Sequence, residues 1–290
     1  MSCGNDNGQG LPFLKMNGLG NDFVVIDCRE KAFDPSEKFL RFVADRKRGV
    51  GCDQFLFLRK PKTQGADVYM EIYNADASTV RACGNGTRCV AKLMFDETGR
   101  DNCVIETVVG LLKAWKDPSG LIAVDFGEPS FAWDKIPLAR DVDTLHAPIA
   151  SGGLFAPCCV NVGNPHAVFF VPDVKEVALA DTGAVLEHDP IFPERCNIEI
   201  AQIMAPDRIR MRVWERGAGI TEACGSGACA TLVAAVRRGL SARRATIVLD
   251  GGELVIEWRE GDNRIIMIGA ASLSFKGELA DNLCDEKCCS

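Results

Sequence analysis

Short runs of alternating or wholly apolar residues recur along the chain and predict many β-strands. Runs of about four to eight residues between turn signals are typical of strands. In the first half of the chain the runs are DFVVID (22–27), QFLFLR (54–59), VYMEIYN (68–74), CVIET (103–107) and LIAVDF (121–126). In the second half they are HAVFFV (166–171), NIEIAQI (197–203), RIRMRVWE (208–215), TIVLD (246–250), ELVIEW (253–258) and IIMIG (265–269).

One segment departs from this strand pattern, because ACATLVAAV (228–236) is apolar on nearly every face. A helix that is hydrophobic all round is typical of a buried element. The segment follows the cysteine motif ACGSG, and a second such motif, ACGNG at 82–86, also precedes an apolar stretch. Short strands curled about one buried helix predict an α+β half, with a mostly antiparallel sheet or barrel around that helix.

The two halves of the chain align on each other at an offset of 141 to 143 residues. YMEIYNADASTVRACGNG (69–86) lies on RMRVWERGAGITEACGSG (210–227), and GNDFVV (20–25) lies on GNPHAV (163–168). Because matching segments keep one order at a nearly constant offset, the sequence predicts two pseudo-symmetric halves. We expect the active site in a cleft between them.

The repeat also sets the expected domain boundaries. Residues 11–127 form the predicted N-terminal half, which a strand near 271–277 completes, and residues 128–270 form the C-terminal half. We expect residues 1–10 to be a disordered lead-in and residues 278–290 to be a separate cysteine-rich tail.

Composition narrows the class of protein. A net charge of −7 over 290 residues argues against a nucleic-acid partner and against an anionic membrane surface, which require a basic face. No run approaches the roughly 18 apolar residues of a membrane span, and the polar start lacks a signal-peptide core, so we expect a cytoplasmic protein. The 14 cysteines show no Cys-x2-Cys spacing, so no metal site is predicted. The oligomeric state stays open, a homodimer included.

Each cysteine motif places a thiol and two glycines at an expected helix start. Unpaired N–H groups and a partial positive charge at a helix N-terminus favour a bound carboxylate, and glycine lets that ligand approach the backbone. The same field is expected to lower the pKa of Cys83 and of Cys224. Inverting an amino-acid α-carbon needs a base on one face and an acid on the other, which two cysteines supply without a cofactor.

These motifs make the chain similar to the diaminopimelate epimerases over about residues 13–277. The resemblance rests on KMNGLGNDFVVID, RGVGCDQ, YNADAS, ACGNGTRC, NVGNPHAVFF, ERGAGITEACGSGACA and GGELVIEW. It implies two pseudo-symmetric halves, and the interconversion of LL- and meso-diaminopimelate for lysine and cell-wall synthesis. It also implies that neither pyridoxal phosphate nor a metal takes part.

The same resemblance implies roles for individual residues. Cys83 and Cys224 become the acid–base pair, with His166 and Glu215 beside the reacting centre. The implied substrate-binding residues are Asn21, Gln54, Asn74, Gly84, Asn85, Asn164, Asn197, Glu215, Arg216, Gly225 and Ser226. Arg216 is expected to pair with the distal carboxylate of the substrate, and the asparagines at 74, 164 and 197 to bind the rest of the distal end.

The chain departs from the family pattern after NAD, where Ala77 and Thr79 replace the usual glycine and glutamate. This difference predicts an altered tight turn beside Asn74. Three other functions stay open from the sequence. They are a two-cysteine racemase of the histidine or proline type, a thiol redox protein in which Cys83 and Cys224 form a disulfide, and a non-catalytic amino-acid-binding module.

Overall fold

The computed structural model describes residues 10–280, which form two compact units. The first unit comprises the described residues up to Ile122 and those from Ala270 onward, and the second unit comprises Ala123–Gly269. The division lies a few residues before the expected boundary at 127, because the strand 122–127 pairs with the strand 265–269 of the second unit. Most of the expected lead-in and the tail from 281 onward lie outside the described residues.

The first unit is a mixed sheet with two helices. Numbered along the chain, its elements are β1 (Leu11–Gly18), β2 (Asn21–Asp27), α1 (Glu37–Ala44), β3 (Gln54–Arg59), β4 (Val68–Asn74), β5 (Thr79–Val80), α2 (Gly84–Thr98), β6 (Asn102–Thr107), β7 (Gly110–Lys116) and β19 (Ser272–Leu279). The strand order is β19-β1-β2-β3-β4-β6-β7, and β5 pairs with β4. The pairs β2–β3 and β4–β6 are parallel, whereas the others are antiparallel.

The second unit repeats this construction. Its elements are β8 (Ile122–Gly127), β9 (Ala150–Ser151), β10 (Leu154–Phe155), β11 (Cys158–Asn161), β12 (Pro165–Phe170), a 3-10 turn (Val174–Glu176), α3 (Leu179–Glu187), β13 (Asn197–Ala205), β14 (Arg208–Glu215), β15 (Gly219–Thr221), α4 (Gly225–Arg237), β16 (Arg244–Leu249), β17 (Gly252–Trp258) and β18 (Ile265–Gly269). The strand order is β11-β12-β13-β14-β16-β17-β18-β8, with β12–β13 and β14–β16 parallel. The fold is therefore α+β, as the sequence predicts.

Each unit packs its strands around the helix that follows its cysteine motif. In α4 every residue from Ala228 to Ala235 is buried, and the helix contacts strands β11 to β14 and β16 to β18. In α2 the residues from Asn85 to Ala91 are buried, and the helix contacts β1, β6 and β7. A helix whose faces all meet strands must be apolar all round, which explains the composition of ACATLVAAV.

Several elements were missed by the strand and helix patterns. Helices α1 and α3 and strands β1, β7 and β11 fall outside the predicted runs. The start of α1 did carry a signal, because the Ser36 side chain caps the helix by accepting a hydrogen bond from the Phe39 N–H at 3.1 Å. The β7 side chains are mostly exposed, so that strand shows no apolar alternation. Within residues 10–280, no helix is both long and apolar enough to cross a membrane.

The burial of α4 leads to a stability prediction. Leu232→Ala should lower the free energy of unfolding by about 2–5 kcal/mol, because Leu232 is fully buried and its loss leaves a cavity. The control Leu240→Ala changes the same side chain where it is 40% exposed, so its effect should stay within about 1 kcal/mol. Urea unfolding followed by circular dichroism measures the free energy of unfolding of both variants. Equal losses in the two variants would contradict a stabilising role for the packing of α4.

Candidate active site

Both central helices begin at the cysteine motifs. Cys83 is the N-cap residue of α2 and Cys224 is the N-cap residue of α4, and both have extended backbone conformations. The sulfur of Cys83 accepts a hydrogen bond from the Gly86 N–H at 3.4 Å, and the sulfur of Cys224 accepts one from the Gly227 N–H at 3.4 Å. The two motifs therefore have one local geometry, repeated once in each unit.

The second glycine of each motif packs closely against a neighbouring strand. A Cβ atom at Gly86 would lie 3.0 Å from the Leu56 side chain on β3. A Cβ atom at Gly227 would lie 2.9 Å from the Glu199 carboxyl on β13 and 3.3 Å from the Cys224 sulfur. Because glycine has no Cβ atom, the start of each helix can lie close to the neighbouring strand, β3 for α2 and β13 for α4.

In the first unit Cys83 lies beside Asn21. The Cys83 thiol donates to Asn21 Oδ1 at 3.7 Å, a distance within reach of a hydrogen bond to sulfur. The amide of Asn21 is itself oriented, because its Nδ2 donates to Asp53 Oδ2 at 3.1 Å. Asp53 therefore turns the amide oxygen of Asn21 toward Cys83.

A network of ion pairs holds this part of the unit together. Asp22 pairs with Lys15 at 2.6 Å and with Arg46 at 2.8 Å, and Arg46 also pairs with Asp53 at 2.7 Å. Asp22 and Asp53 accept hydrogen bonds from each other's backbone N–H groups at 2.8 and 3.0 Å. Burial acts to raise the pKa of Asp22, but the hydrogen bonds from Arg46 and Lys15 outweigh burial and hold that pKa well below its usual range.

Two more of the predicted residues meet at the end of β4. Gln54 Nε2 donates to Asn74 Oδ1 at 2.9 Å, and Asn74 Nδ2 donates to Ser78 Oγ at 2.9 Å. The Gln54 Oε1 atom is buried and has no hydrogen-bond partner among the described residues. The turn after Asn74 forms with Ala77 at φ 71°, a left-handed conformation that glycine adopts more easily. The departure from the family pattern thus places strain at Ala77 but keeps the turn.

The two residues after Cys83, Gly84 and Asn85, begin helix α2. Gly84 is the first residue of α2, and Asn85 is buried. The Asn85 Oδ1 atom accepts a hydrogen bond from Arg88 Nη2 at 2.8 Å, so this side chain is oriented by the helix that follows.

In the second unit Cys224 is buried next to two glutamates. Its sulfur lies 3.5 Å from Ser226 Oγ, and the nearby Glu215 accepts a hydrogen bond from the Thr221 hydroxyl. Burial first, and then the charges of Glu215 and Glu199, raise the pKa of the Cys224 thiol well above its ordinary value. The expected lowering by the helix N-terminus is therefore wrong for Cys224, because burial and two carboxylates outweigh the field of the helix.

His166 is fully buried, with both ring nitrogens in hydrogen bonds. Nδ1 lies 2.6 Å from Glu199 Oε1, and Nε2 lies 2.8 Å from Asn164 Oδ1. Asn164 Nδ2 in turn donates to Ser226 Oγ at 3.3 Å. The sequence predictions missed Glu199, although one signal was present: a carboxylate stands between two isoleucines in a strand whose residues 197–201 are all buried.

Asn197 and Arg216 are joined through the backbone. Asn197 Nδ2 donates to the Pro165 carbonyl at 2.9 Å, and the Arg216 N–H donates to Asn197 Oδ1 at 2.9 Å. The Arg216 side chain is exposed, and its Nη1 donates to the Glu194 carbonyl at 3.1 Å. Asn197 therefore sets the backbone from which the Arg216 side chain extends.

The predicted site residues thus form two clusters, one in each unit. The first contains Asn21, Gln54, Asn74, Cys83, Gly84 and Asn85, and the second contains Asn164, His166, Asn197, Glu215, Arg216, Cys224, Gly225 and Ser226. In the part of the chain that the structure describes, no group of three histidine, cysteine, aspartate or glutamate side chains could hold a metal ion. Each cluster contains a cysteine at a helix N-terminus and side-chain amides, and the second cluster adds the His166 imidazole, the Glu215 carboxylate and the Arg216 guanidinium.

Sequence comparison shows that the chain is similar to known enzymes over most of its length. The model of the family described as Diaminopimelate epimerase matches residues 13–132 and 158–274. The diaminopimelate epimerase of Rhodospirillum centenum is 55% identical over 271 residues, which cover 93% of each chain. That of Phenylobacterium zucineum is 51% identical over 274 residues, which cover 93% of this chain and 98% of the relative.

Solved structures share the fold at low sequence identity. A hydroxyproline epimerase from Agrobacterium vitis, solved with bound trans-4-hydroxy-L-proline, aligns with a TM-score of 0.66 at 15% identity and covers 94% of this chain and 91% of its own. A phenazine biosynthesis protein of the PhzF family from Bacillus anthracis aligns with a TM-score of 0.67 at 13% identity, covering 93% of this chain and 99% of its own. At these identities the likeness shows the fold alone.

The network around Asp22 predicts a pH-dependent contribution to stability. Asp22→Asn should lower the free energy of unfolding at pH 7 by about 1–3 kcal/mol, because the two cations lose a charged acceptor. The folded-state pKa of Asp22 is depressed, so this stabilisation is present above the unfolded value of about 3.9 and is lost as pH falls toward the folded pKa.

The gap between wild type and Asp22→Asn should therefore be constant from pH 7 to about pH 5 and narrow below about pH 4. Urea midpoints measured across this range test the prediction. Asp34→Asn is the control, because the Asp34 side chain is 93% exposed although it also pairs with an arginine. A gap that stays unchanged down to pH 3, or an equal gap for the control, would contradict the role of Asp22.

Proposed function

The chain belongs to the diaminopimelate epimerase family, and we propose on this basis that it is an isomerase that interconverts LL- and meso-diaminopimelate through Cys83 and Cys224. The observation that carries the proposal is the repeated geometry of the two cysteines. Each is the N-cap of a buried helix, with its sulfur 3.4 Å from the N–H of the second glycine. Inversion requires one proton-transfer group for each face of the α-carbon, and each unit supplies one thiol.

The proposed reaction moves only protons. A thiolate removes the α-hydrogen, and the electron pair of the broken C–H bond delocalises into the adjacent carboxylate. The second cysteine, as a thiol, delivers a proton to the opposite face, so that the two sulfurs exchange protonation states in each turnover. N–H groups at the starts of α2 and α4 suit the negative charge that develops on the carboxylate. The proposal therefore includes no cofactor and no metal.

The surroundings of Cys224 support a role as the thiol at the start of turnover. Burial and the neighbouring Glu199 and Glu215 raise its pKa, so its sulfur holds a proton at neutral pH. Cys83, which is half-buried and has no acidic residue at the positions equivalent to these glutamates, is then the initial base. His166 and Glu215 lie on the Cys224 side and are proposed to act beside the reacting centre.

The distal end of the substrate requires its own polar groups. Arg216 is exposed at the end of β14, on a backbone that Asn197 holds, and its guanidinium suits a carboxylate. We assign the distal ammonium and carboxylate to Arg216 with Asn74, Asn164 and Asn197. We assign the reacting end to Asn21, Gln54, Asn85 and Ser226 with the glycines at 84 and 225.

A two-cysteine racemase of the proline type is the second candidate, because the hydroxyproline epimerase shares the fold. The diaminopimelate assignment is favoured because relatives at 51% and 55% identity carry that name, whereas the hydroxyproline epimerase is only 15% identical.

We place the reaction in the cytoplasm, where thiols stay reduced. We also propose that the protein is a homodimer, which light scattering after size-exclusion chromatography would reveal.

Removing either sulfur should abolish epimerisation. Cys83→Ala and Cys224→Ala should each lower kcat by at least about 10²–10⁴-fold, because one face of the α-carbon loses its proton-transfer group. The measurement is the conversion of LL- to meso-diaminopimelate in deuterated water, with mass spectrometry of the α-position. The same assay distinguishes an epimerase from a redox protein or a binding module, because neither of those incorporates deuterium.

Cys103→Ala is the matched control, since Cys103 is a buried cysteine on β6 outside both clusters. It should retain wild-type turnover. Cysteine-to-serine variants at 83 and 224 should keep little activity, because a hydroxyl is a far weaker acid than a thiol. Full turnover in either alanine variant would overturn the two-cysteine mechanism.

Arg216 should determine selectivity for a substrate with a second amino-acid end. Arg216→Met should cost about 2–5 kcal/mol in kcat/KM for diaminopimelate, because bound substrate would bury the guanidinium against its distal carboxylate and that carboxylate would lose its charged partner. A monoamino acid, which does not reach the guanidinium, should be processed equally poorly by variant and wild type. Arg208→Met provides the control, because Arg208 lies at the other end of β14 and pairs with Glu253.

Efficient racemisation of a monoamino acid by the wild type, together with unchanged diaminopimelate turnover in Arg216→Met, would favour the racemase candidate instead. Kinetics on both substrates with both variants therefore decide the substrate class.

A further inference from the structure

The two units differ at one pair of positions beside the cysteine helices. The parallel pairs β2–β3 and β12–β13 have matching registers, so that Phe23 corresponds to His166 and Leu56 corresponds to Glu199. The second glycine of each cysteine motif lies against this β3 or β13 residue. The same place in the fold is therefore apolar near Cys83 and carries a hydrogen-bonded acid near Cys224.

We propose that Glu199 is a positioning residue, whose carboxyl holds the His166 ring and, through it, Asn164 and Ser226 at Cys224. This inference rests on the proposed function, because it assigns Glu199 to the same reaction. Glu199 itself lies one hydrogen bond behind the ring and acts through its partners.

An unbroken series of hydrogen bonds connects the Glu199 carboxyl to the Cys224 thiol. The carboxyl meets His166 Nδ1 at 2.6 Å, and Nε2 meets Asn164 Oδ1 at 2.8 Å. A carbonyl oxygen only accepts, so Nε2 carries a hydrogen and the Asn164 amide nitrogen faces the other way. That nitrogen donates to Ser226 Oγ at 3.3 Å, and this oxygen lies 3.5 Å from the Cys224 sulfur. Each link thus fixes the orientation of the next.

Stability does not account for this pair. Glu199 and His166 are both fully buried, and Glu199 Oε2 has no hydrogen-bond partner among residues 10–280. Burying such a group costs free energy, and replacing a buried ion pair by apolar residues is often neutral or stabilising. The first unit makes that replacement, because Phe23 and Leu56 occupy the corresponding positions in the same strand arrangement. The fold can therefore be built without the pair, which points to a role in the reaction.

Two variants separate positioning from structure. In Glu199→Gln the amide still forms one hydrogen bond to Nδ1, so kcat should fall about tenfold. Glu199→Leu introduces the residue that the first unit has at the corresponding position and removes the hydrogen bond to His166 Nδ1. The kcat should therefore fall about 10²-fold, as for a misplaced catalytic group. KM should rise less than kcat falls in both variants, because Asn164 and Ser226 also contact substrate in the proposed function. Urea midpoints confirm folding, and the glutamine variant decides if the leucine variant does not fold.

The His166 ring gives a readout that does not depend on activity. The chain has three histidines, so ¹⁵N-histidine spectra are simple, and His166→Asn assigns the ring. Both Glu199 variants should shift the Nδ1 signal of His166 and leave those of His146 and His188 in place. Glu106→Gln is the matched control, because Glu106 is a buried carboxylate on β6 that binds the Lys62 and Thr63 N–H groups. It should change neither kcat nor the His166 signals.

Unchanged kcat in both Glu199 variants, or a fall in kcat without any shift of the His166 signals, would overturn the proposal. A rise in KM alone, with kcat intact, would also overturn it. If the wild type fails to epimerise diaminopimelate, the proposed function fails, whereas the ring signals still report whether Glu199 holds His166.

Discussion

The structure depends on satisfying two buried helix starts. The first N–H groups of a helix have no partner within the helix, and inside a protein they must find one elsewhere. In both units the partner is a cysteine sulfur, which accepts from the N–H of the second glycine at 3.4 Å. A Cβ atom at that glycine would lie 3.0 Å from the Leu56 side chain on β3 or 2.9 Å from the Glu199 carboxyl on β13. The N-cap position therefore places each sulfur at a helix start, and the neighbouring strand lies close to the glycine that donates to it.

Burial changes what such a helix start does to a thiol. In water-exposed surroundings the positive end of a helix stabilises a thiolate, whereas at Cys224 desolvation and two glutamates act in the opposite direction and prevail. The sulfur at the start of α4 is therefore suited to giving a proton. A pair of cysteines that look alike in sequence thus serves two different starting roles in the proposed reaction.

The two units share their strand arrangement but differ in the side chains beside the two cysteines. Parallel strand pairs with the same register appear in both units, and they place Phe23 and Leu56 in one and His166 and Glu199 in the other. The first unit instead has a polar network at the start of β2, where Lys15 and Arg46 pair with Asp22 next to Asn21, the neighbour of Cys83. The two units share one strand arrangement, and different side chains within it give each cysteine different neighbours.

The sequence by itself determined the features that are local or periodic. The two-fold repeat, the buried helix 228–236, the helix starts at the cysteine motifs and the family follow from runs and motifs that can be read along the chain. Short strands with exposed side chains, such as β7, were missed because their residues carry no apolar alternation.

Only the tertiary structure decided which side chains meet. Glu199 lies 33 positions from His166, and Asp53 lies 32 positions from Asn21, so no local pattern joins either pair. The register of the parallel strands brings them together, and burial then sets the pKa of Cys224 against the field of its helix. Register and burial arise from packing between distant segments, which is why residue order alone leaves them open.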